Sequence, residues 1–300
     1  MTPFNSRLLT PPREEEDVYP YRRVWPSIII EFGILFALAL GLYVTQNILG
    51  FRLPTTVFRP LGLVLVLLPV GLWALFSLWR ERFVPEPRQR LLAVAIVSAL
   101  VANAVGVPIV RDLLQVERWL PLTTALNRIV GYTFTVGIVQ EFLKYLVLRY
   151  VVWPSGFRMR LDAAAYCAAN AIGYVTVLNL HFLFDGSPAP DVVAGVVFST
   201  CALHLVSGLV VGYALSELWF SHPSPLLLPA SVALAAFVTG AAIPVRAGLV
   251  NASFTLSTSS TKPWLGLLFS LALLVGLLFV LAFLFNSAER QAREAVVEDT

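Results

Sequence analysis

The sequence predicts an all-α fold, a polytopic transmembrane helix bundle of about eight helices, and two observations support this prediction. First, 58% of the 300 residues are hydrophobic and only 13% are charged, with a mean hydropathy of +0.78. Soluble domains carry about a quarter charged residues. Second, the chain contains eight apolar windows of the length that a spanning helix needs, roughly 20 residues. The basic residues are scattered between these windows, which excludes a nucleic-acid-binding surface.

The eight windows follow one another along most of the chain, separated by polar or proline-rich breaks. They are Trp25–Leu49, Phe58–Trp79, Leu91–Val110, Ile129–Trp153, Ala163–Phe184, Val192–Phe220, Leu226–Val250 and Trp264–Phe285. The seventh window contains Pro229, Gly240, Pro244 and Arg246, which predict a kinked or partly re-entrant segment. Residues 111–119 mix leucines with charges, a pattern typical of a short amphipathic segment at the membrane interface.

The windows form one transmembrane domain, residues 25–286, between two polar tails. Residues 1–24 carry prolines and an acidic run, and residues 287–300 are also charged, as is typical of solvated tails. Arginine and lysine are nearly twice as frequent on the side of the bilayer that holds the N-terminus. The positive-inside rule therefore predicts that both termini are cytoplasmic. The expected location is the cell membrane, and the expected partners include membrane lipids.

The fourth window places two charged residues where hydrocarbon is expected. Glu141 and Lys144 are three residues apart and share a helix face, with Gln140 beside them. A charged residue at the centre of a spanning helix costs about 2.5 to 3.5 kcal/mol, so each needs a partner or a purpose. One interpretation is a salt bridge that neutralises itself. The other is a functional site in which Lys144 keeps Glu141 ionised and leaves one carboxylate oxygen free.

The fifth and sixth windows add further polar side chains. Asn170, Tyr174 and His181 share one face of the fifth helix, and Asn179 lies on the opposite face. Asn170 and Tyr174 either join helices by hydrogen bonds or belong to a site. His204 lies near the middle of the sixth window, where a carboxylate on a neighbouring helix would compensate for its desolvation.

The order of these residues resembles the motifs of the PrsW family of intramembrane proteases. That family is similar to the CAAX prenyl endopeptidases and to bacteriocin-processing membrane proteins. Its motifs read approximately Glu-Glu-x-x-Lys, then Phe-x-x-x-Glu-Asn, then a histidine on the following helix. Here they stand as Gln140-Glu141-Phe142-Leu143-Lys144, Tyr174-Val175-Thr176-Val177-Leu178-Asn179 and His204. The resemblance covers residues 129–215, which form the PrsW-like core.

The resemblance implies a catalytic cavity within the membrane that cuts a transmembrane protein substrate. Glu141 would activate water, His204 and Asn179 would polarise the scissile carbonyl group, and Lys144 would orient the glutamate. The family has also been described as metal-dependent, so the resemblance implies a divalent metal. The sequence itself shows no compact set of histidine, cysteine and carboxylate ligands, and from the residues alone we expect no cofactor.

Two positions depart from the family pattern, and they leave the function open. Gln140 replaces the first glutamate and has no titratable proton, and Leu178 replaces the glutamate of the second motif. Lys144 would also stabilise the charged form of Glu141 and so weaken it as a base. Three functions are therefore considered: an intramembrane peptidase, a non-catalytic helix-binding protein or subunit of a membrane complex, and a transporter with Glu141, Lys144 and His204 as a proton relay. Paired halves with matching broken helices, typical of transporters, are not found.

Overall fold

The computed structural model describes residues 24–83, 87–221, 223–251 and 262–298. Within these ranges the long elements are helices and no strand occurs, which confirms the predicted fold class. The helices are α1 (Val24–Ile48), α2 (Thr55–Phe83), α3 (Leu91–Trp119), α4 (residues 125–151), α5 (Arg160–Asp185), α6 (Pro190–Phe220), α7 (Leu227–Val250) and α8 (Pro263–Glu298). The polar tail predicted for residues 1–24 lies outside the described residues, except that Val24 begins α1.

Seven of these eight helices are long and apolar enough to cross a membrane. The exception is α4, which carries Gln140, Glu141 and Lys144, although it forms one continuous helix over residues 125–151. The chain is therefore an integral, multi-pass membrane protein.

The structure adds detail to the sequence prediction at α7, near the end of α3 and in the C-terminal tail. The seventh window is not interrupted, because α7 runs without a break from Leu227 to Val250. Pro229 is its third residue, where a missing N–H donor costs no helical hydrogen bond. Within the range given for α3 the helix is interrupted at Leu114 and Gln115, where Gln115 has φ 48°, and Val116–Trp119 forms a separate helical turn, so the segment predicted to lie at the interface is set off from the apolar part of α3. The last helix continues to Glu298, so most of the predicted C-terminal tail is helical.

Helix α6 is the centre of the bundle. In its most apolar stretch 83% of the residues are buried inside the protein, and the fraction for α5 is 67%. In the other spanning helices the corresponding fraction does not exceed 33%, so these helices expose most of their apolar surface to lipid. Helix α6 packs against α1, α2, α5, α7 and α8 and also contacts α4. The polar residues of α4, α5 and α6 are thereby enclosed by surrounding helices.

Small residues bring α4 and α7 into backbone contact. A Cβ atom added to Gly137 would collide with the carbonyl group of Ala236, and one added to Gly240 would collide with the backbone of Thr133. Glycine at both positions removes this obstacle, as is common where membrane helices pack closely. The contact carries the middle of α7 to the charged residues of α4.

An ionic network ties the α2–α3 connection to the start of α5. Arg88 pairs with Asp162, with 2.6 Å between Nε and Oδ1, and also with Glu81. Nearby, Arg160 pairs with Glu217 of α6 at 2.7 Å. These contacts fix the axial positions of α3, α5 and α6 relative to one another.

Candidate functional site

The carboxylate of Glu141 lies where α4, α6 and α7 meet, and the residue is 0% exposed. Its Oε1 atom accepts hydrogen bonds from Ser207 Oγ at 2.9 Å and from Thr239 Oγ1 at 2.6 Å. Lys144 Nζ lies 2.8 Å from the same oxygen. The other oxygen, Oε2, has no hydrogen-bond partner among the described residues. The three donors therefore act on one oxygen and leave the other free.

The ammonium group of Lys144 is also enclosed, with 2% of the residue exposed. Besides its ion pair with Glu141, it donates to Ser207 Oγ at 3.1 Å and to the carbonyl oxygen of His204 at 3.2 Å. An ammonium group has three donors, and here three acceptors surround it. Both charges therefore point into the bundle and compensate each other, as the salt-bridge interpretation of the sequence predicts.

His204 approaches this ion pair without joining it. Its Nδ1 atom is 3.9 Å from Glu141 Oε1, which is too long for a hydrogen bond, and has no partner among the described residues. Its ring lies 5.8 Å from the ring of Tyr174 on α5. The Tyr174 hydroxyl is buried without a partner, and a Cβ atom on Gly106 of α3 would collide with it. Glycine at position 106 thus leaves room for that hydroxyl.

The two asparagines of α5 have different neighbours. Asn170 Nδ2 donates to the backbone oxygen of Lys144 at 2.8 Å, so Asn170 supports α4 directly. Asn179 instead accepts a hydrogen bond from Thr200 Oγ1 at 2.8 Å, one helical turn before His204. No hydrogen bond joins Asn179 to the side chains of Lys144 or His204 in the described structure. The structure therefore brings Glu141, Lys144 and His204 together and places Asn179 one turn away.

Sequence reasoning missed the role of two hydroxyl groups. Ser207 follows His204 by three residues, so the helical period places both on one face of α6. Thr239 was not singled out, although it is a polar residue beside Gly240 in an apolar helix. That pattern could have indicated a buried hydrogen bond, but it does not show that the partner would be Glu141.

Several buried polar atoms around the ion pair lack hydrogen bonds. A buried polar group without a partner costs about 1 to 3 kcal/mol, so such groups are few in native proteins. Apart from Arg128 Nε near the start of α4, the unpartnered atoms on α4, α5 and α6 are Gln140 Oε1, Glu141 Oε2, Asn170 Oδ1, Tyr174 OH, Asn179 Nδ2 and His204 Nδ1. Their concentration in three adjacent helices distinguishes this region from an ordinary packed core.

The side chains present do not fit a bound metal ion. No group of three or more histidine, cysteine, aspartate or glutamate side chains that could hold a metal occurs among the described residues. Only Glu141 and His204 contribute such ligands here, and the Lys144 ammonium lies 2.8 Å from the glutamate where a cation would bind. A site with two protein ligands and a competing ammonium lacks the three protein ligands that a catalytic zinc usually has.

As arranged, these residues connect helices, and Glu141 does not touch solvent-accessible space. A general base must come within hydrogen-bond reach of the water or group whose proton it takes. Because the residue is 0% exposed, no water-sized space adjoins it in this conformation. The same carboxylate instead links α4 to α6 through Ser207 and to α7 through Thr239.

Comparison with protein families matches residues 86–226 to the PrsW-protease family, described as the PrsW family intramembrane metalloprotease. Searches of curated proteins and of solved structures found no match to the chain. The matched region begins before α3 and ends after α6, so it contains Glu141, Lys144, Asn179 and His204. Thr239 of α7 lies beyond it. The match confirms the resemblance that the three motifs predict: residues 86–226, slightly less than half of this multi-pass membrane protein, are similar to the PrsW family of intramembrane metalloproteases.

Proposed function

We propose that this protein is a non-catalytic relative of the intramembrane proteases and binds a membrane-embedded segment of another protein without cutting it. The observation that carries the proposal is the state of Glu141. Its carboxylate is 0% exposed, and one of its oxygens already has an ammonium and two hydroxyl groups as partners.

The two departures from the family motifs support the loss of chemistry. Gln140 cannot accept a proton from water, and it is buried beside Glu141 without adding a charge. Leu178 offers no polar atom, and it is only partly buried. Peptide hydrolysis needs a base that can reach water, and Glu141 is the only carboxylate left in the motifs. The ammonium of Lys144 already lies 2.8 Å from Oε1 of this carboxylate.

The retained residues have a structural task that explains their presence without catalysis. Glu141 joins three helices, and Lys144 reaches from α4 to the backbone of α6 at His204. Asn170 adds a bond from α5 to α4. Each of these bonds crosses a helix interface in an apolar medium, where polar groups without partners are costly. We infer that the polar cluster holds the family's helix arrangement in place for binding.

A second candidate, an active peptidase with a displaced base, is favoured by the unpartnered atoms. In that case Glu141 Oε2 would take a proton from a water molecule, and the oxygen of that water would attack the scissile carbonyl carbon. The Tyr174 hydroxyl and His204 would donate to the oxyanion of the tetrahedral intermediate. The proton would then pass to the leaving amine as the C–N bond breaks. This sequence of steps requires an opening of the bundle that admits water and substrate.

Cleavage assays on the full chain in liposomes separate the two candidates. A panel of single-pass membrane proteins would be incubated with native protein, with the Glu141→Gln variant and with the Gln140→Glu/Leu178→Glu double variant. We expect no product from native protein, because its only motif carboxylate is enclosed. Glutamine is nearly isosteric and keeps the acceptor oxygen, so Glu141→Gln is the matched variant for the carboxylate, assayed as protein that remains monodisperse. Cleavage by native protein that disappears in Glu141→Gln would refute the proposal and establish the peptidase.

The binding half of the proposal needs its own measurement. The same panel, fitted with photoactivatable cross-linkers in the transmembrane segments, would be tested against native protein and Glu141→Gln. We expect cross-linking to a subset of the panel by native protein, and the same subset by Glu141→Gln protein that remains folded, because glutamine keeps the bonds to Ser207 and Thr239 that join the helices. If no transmembrane segment cross-links above the level of an unrelated membrane helix, the binding function is wrong even when cleavage is absent.

A further inference from the structure

An apolar groove opens on the outer surface of the bundle between α3 and α5. It has a volume of about 540 Å³, and its walls include the large apolar side chains of Ile96, Leu100, Leu180 and Phe184. Three of these four side chains are more than half exposed, Ile96 by 51%, Leu100 by 62% and Phe184 by 52%. The groove therefore faces the lipid and is separate from the enclosed site around Glu141.

The groove begins next to a point at which α3 and α5 are in close contact. At Gly173 the two helices are in backbone contact, since a Cβ atom there would collide with the carbonyl group of Ala95. The groove residues of α3 begin at Ile96, immediately beyond this contact. Residues 102–106 then form a π-helical turn, a feature that is frequent at functional sites.

Polar groups lie along the groove toward the C-terminal end of α5. Asn103 and His181 both line it, and their side chains are 3.2 Å apart in a hydrogen bond. Asn103 accepts through Oδ1 in this contact, so the contact uses neither of the two N–H donors of its amide. A lipid-facing amide with a free donor is costly unless a ligand oxygen accepts from it.

A cation lies at the same end of the groove. Arg59, at the start of α2, places its guanidinium 5.3 Å from the ring centroid of Phe184. Within the described part of the chain Arg59 makes no ion pair or hydrogen bond. The neighbouring Arg111 is neutralised by Asp185 at 2.9 Å, so Arg59 gives this end a net positive charge.

We propose that this groove binds one phospholipid molecule, with an acyl chain between α3 and α5 and the phosphate at Arg59. Apolar, polar and cationic side chains follow one another along the groove in the same order as the acyl chain, the ester groups and the phosphate of a phospholipid. Ile96 and Leu100 provide apolar contact for the chain, and Asn103 and His181 provide a donor at the level of the ester carbonyl groups. Arg59 then meets the phosphate, for which guanidinium is well suited.

The shape of the groove favours a lipid chain over a protein helix. A transmembrane helix is about 10 Å across with its side chains. A groove of about 540 Å³ that ends where Gly173 meets the backbone of Ala95 suits a flexible hydrocarbon chain better than such a cylinder. The unpaired charge of Arg59 also suits a phosphate and finds no counterpart in an apolar protein helix.

The test uses full-length protein in nanodiscs of phosphatidylcholine that include a phosphatidylcholine with a diazirine at the end of one acyl chain. Photolabelled positions would be mapped by mass spectrometry of peptides. We expect the label on Ile96 and Leu100 to exceed that on Ile29 and Leu67, which are 63% and 49% exposed on α1 and α2. Equal labelling of all four positions would show ordinary lipid contact and overturn the proposal.

Two variants and a control test the groove and the charge separately. Ala99→Phe adds a ring at the groove wall and should lower the label on Leu100 to the level of Leu67. Arg59→Gln should lower it about threefold, the effect of about 0.7 kcal/mol from an exposed ion pair. Arg52→Gln removes an exposed charge from the preceding α1–α2 connection and should change nothing.

Three further results would overturn the assignment. One is labelling of Leu100 that neither Ala99→Phe nor Arg59→Gln reduces in protein that remains monodisperse. A second is an equal loss of label in Arg52→Gln and Arg59→Gln, which would indicate a general effect of charge. The third is displacement of the lipid label by a transmembrane peptide that cross-links to Leu100 in its place, since the occupant would then be a protein helix.

Discussion

Replacement of Lys144 by methionine tests the ion pair at the centre of the bundle. Methionine keeps most of the side-chain volume and removes the ammonium, so Glu141 retains two hydroxyl donors and loses its counter-ion. Both residues are almost completely enclosed, at 0% and 2% exposure, and solvent cannot compensate for the loss. Removing one partner of a buried ion pair costs about 3 to 5 kcal/mol, and we expect Lys144→Met to lower the free energy of unfolding by that amount.

A double-mutant cycle assigns this cost to the pair. In Glu141→Gln the amide oxygen can still accept from Ser207 and Thr239, but the enclosed Lys144 loses its counter-ion, so this variant should also lose about 3 to 5 kcal/mol. In the double variant Lys144→Met/Glu141→Gln no uncompensated charge remains. Its loss should therefore be smaller than the sum of the single losses by at least about 2 kcal/mol.

Unfolding of purified protein by sodium dodecyl sulfate in mixed micelles, followed by circular dichroism, measures these free energies. Arg111→Gln is the matched control, because it breaks an ion pair with Asp185 whose side chains are about half exposed. It should cost less than about 1 kcal/mol. Additive single losses, or a Lys144→Met loss no greater than that of Arg111→Gln, would refute the reasoning that the buried pair organises the bundle.

Two further predictions concern topology and helix packing. Cysteines introduced at Ser6 and Ser287 should be labelled from the same, cytoplasmic side in intact cells, and labelling from opposite sides would mean an odd number of crossings. Gly240→Ala should destabilise the protein by about 1 to 3 kcal/mol, because its methyl group would meet the backbone of Thr133. The control Gly276→Ala places its methyl in open space on α8 and should be neutral or stabilising, so equal unfolding free energies in the two variants would contradict the packing argument.

Much of the architecture could be predicted from the sequence because lipid imposes a simple length rule. Seven windows of about 20 apolar residues correspond to helices that can span a membrane. The ion pair of Glu141 and Lys144 was also predictable, since charges three residues apart on one helix must either pair or find other compensation. Their enclosure by α6 follows from the cost of exposing them to lipid.

The contacts between side chains of different helices at the site could not be predicted from sequence periodicity. Nothing in the sequence shows that Thr239 of α7 donates to Glu141, because that contact depends on the approach of Gly137 and Gly240 to the facing backbones. For the same reason Asn179 was grouped with His204 by motif order, whereas the structure joins it to Thr200. Motif spacing fixes a residue's helix and face, but the rotation and distance of neighbouring helices decide its partners.

The polarity of α4 has a consequence for biosynthesis of the protein. An α4 segment leaving the translocon carries a glutamate and a lysine that each oppose transfer into hydrocarbon by about 2.5 to 3.5 kcal/mol. The hydroxyl groups that accompany the carboxylate in the finished bundle belong to Ser207 and Thr239, which the ribosome adds 66 and 98 residues after Glu141. Until then α4 depends on its internal ion pair and on the flanking hydrophobic helices to remain inserted. In chains truncated before α6, Glu141 should therefore lie within the bilayer with Lys144 as a partner but without the two hydroxyl groups. Membrane quality control could recognise an unfinished protein by such an exposed ion pair.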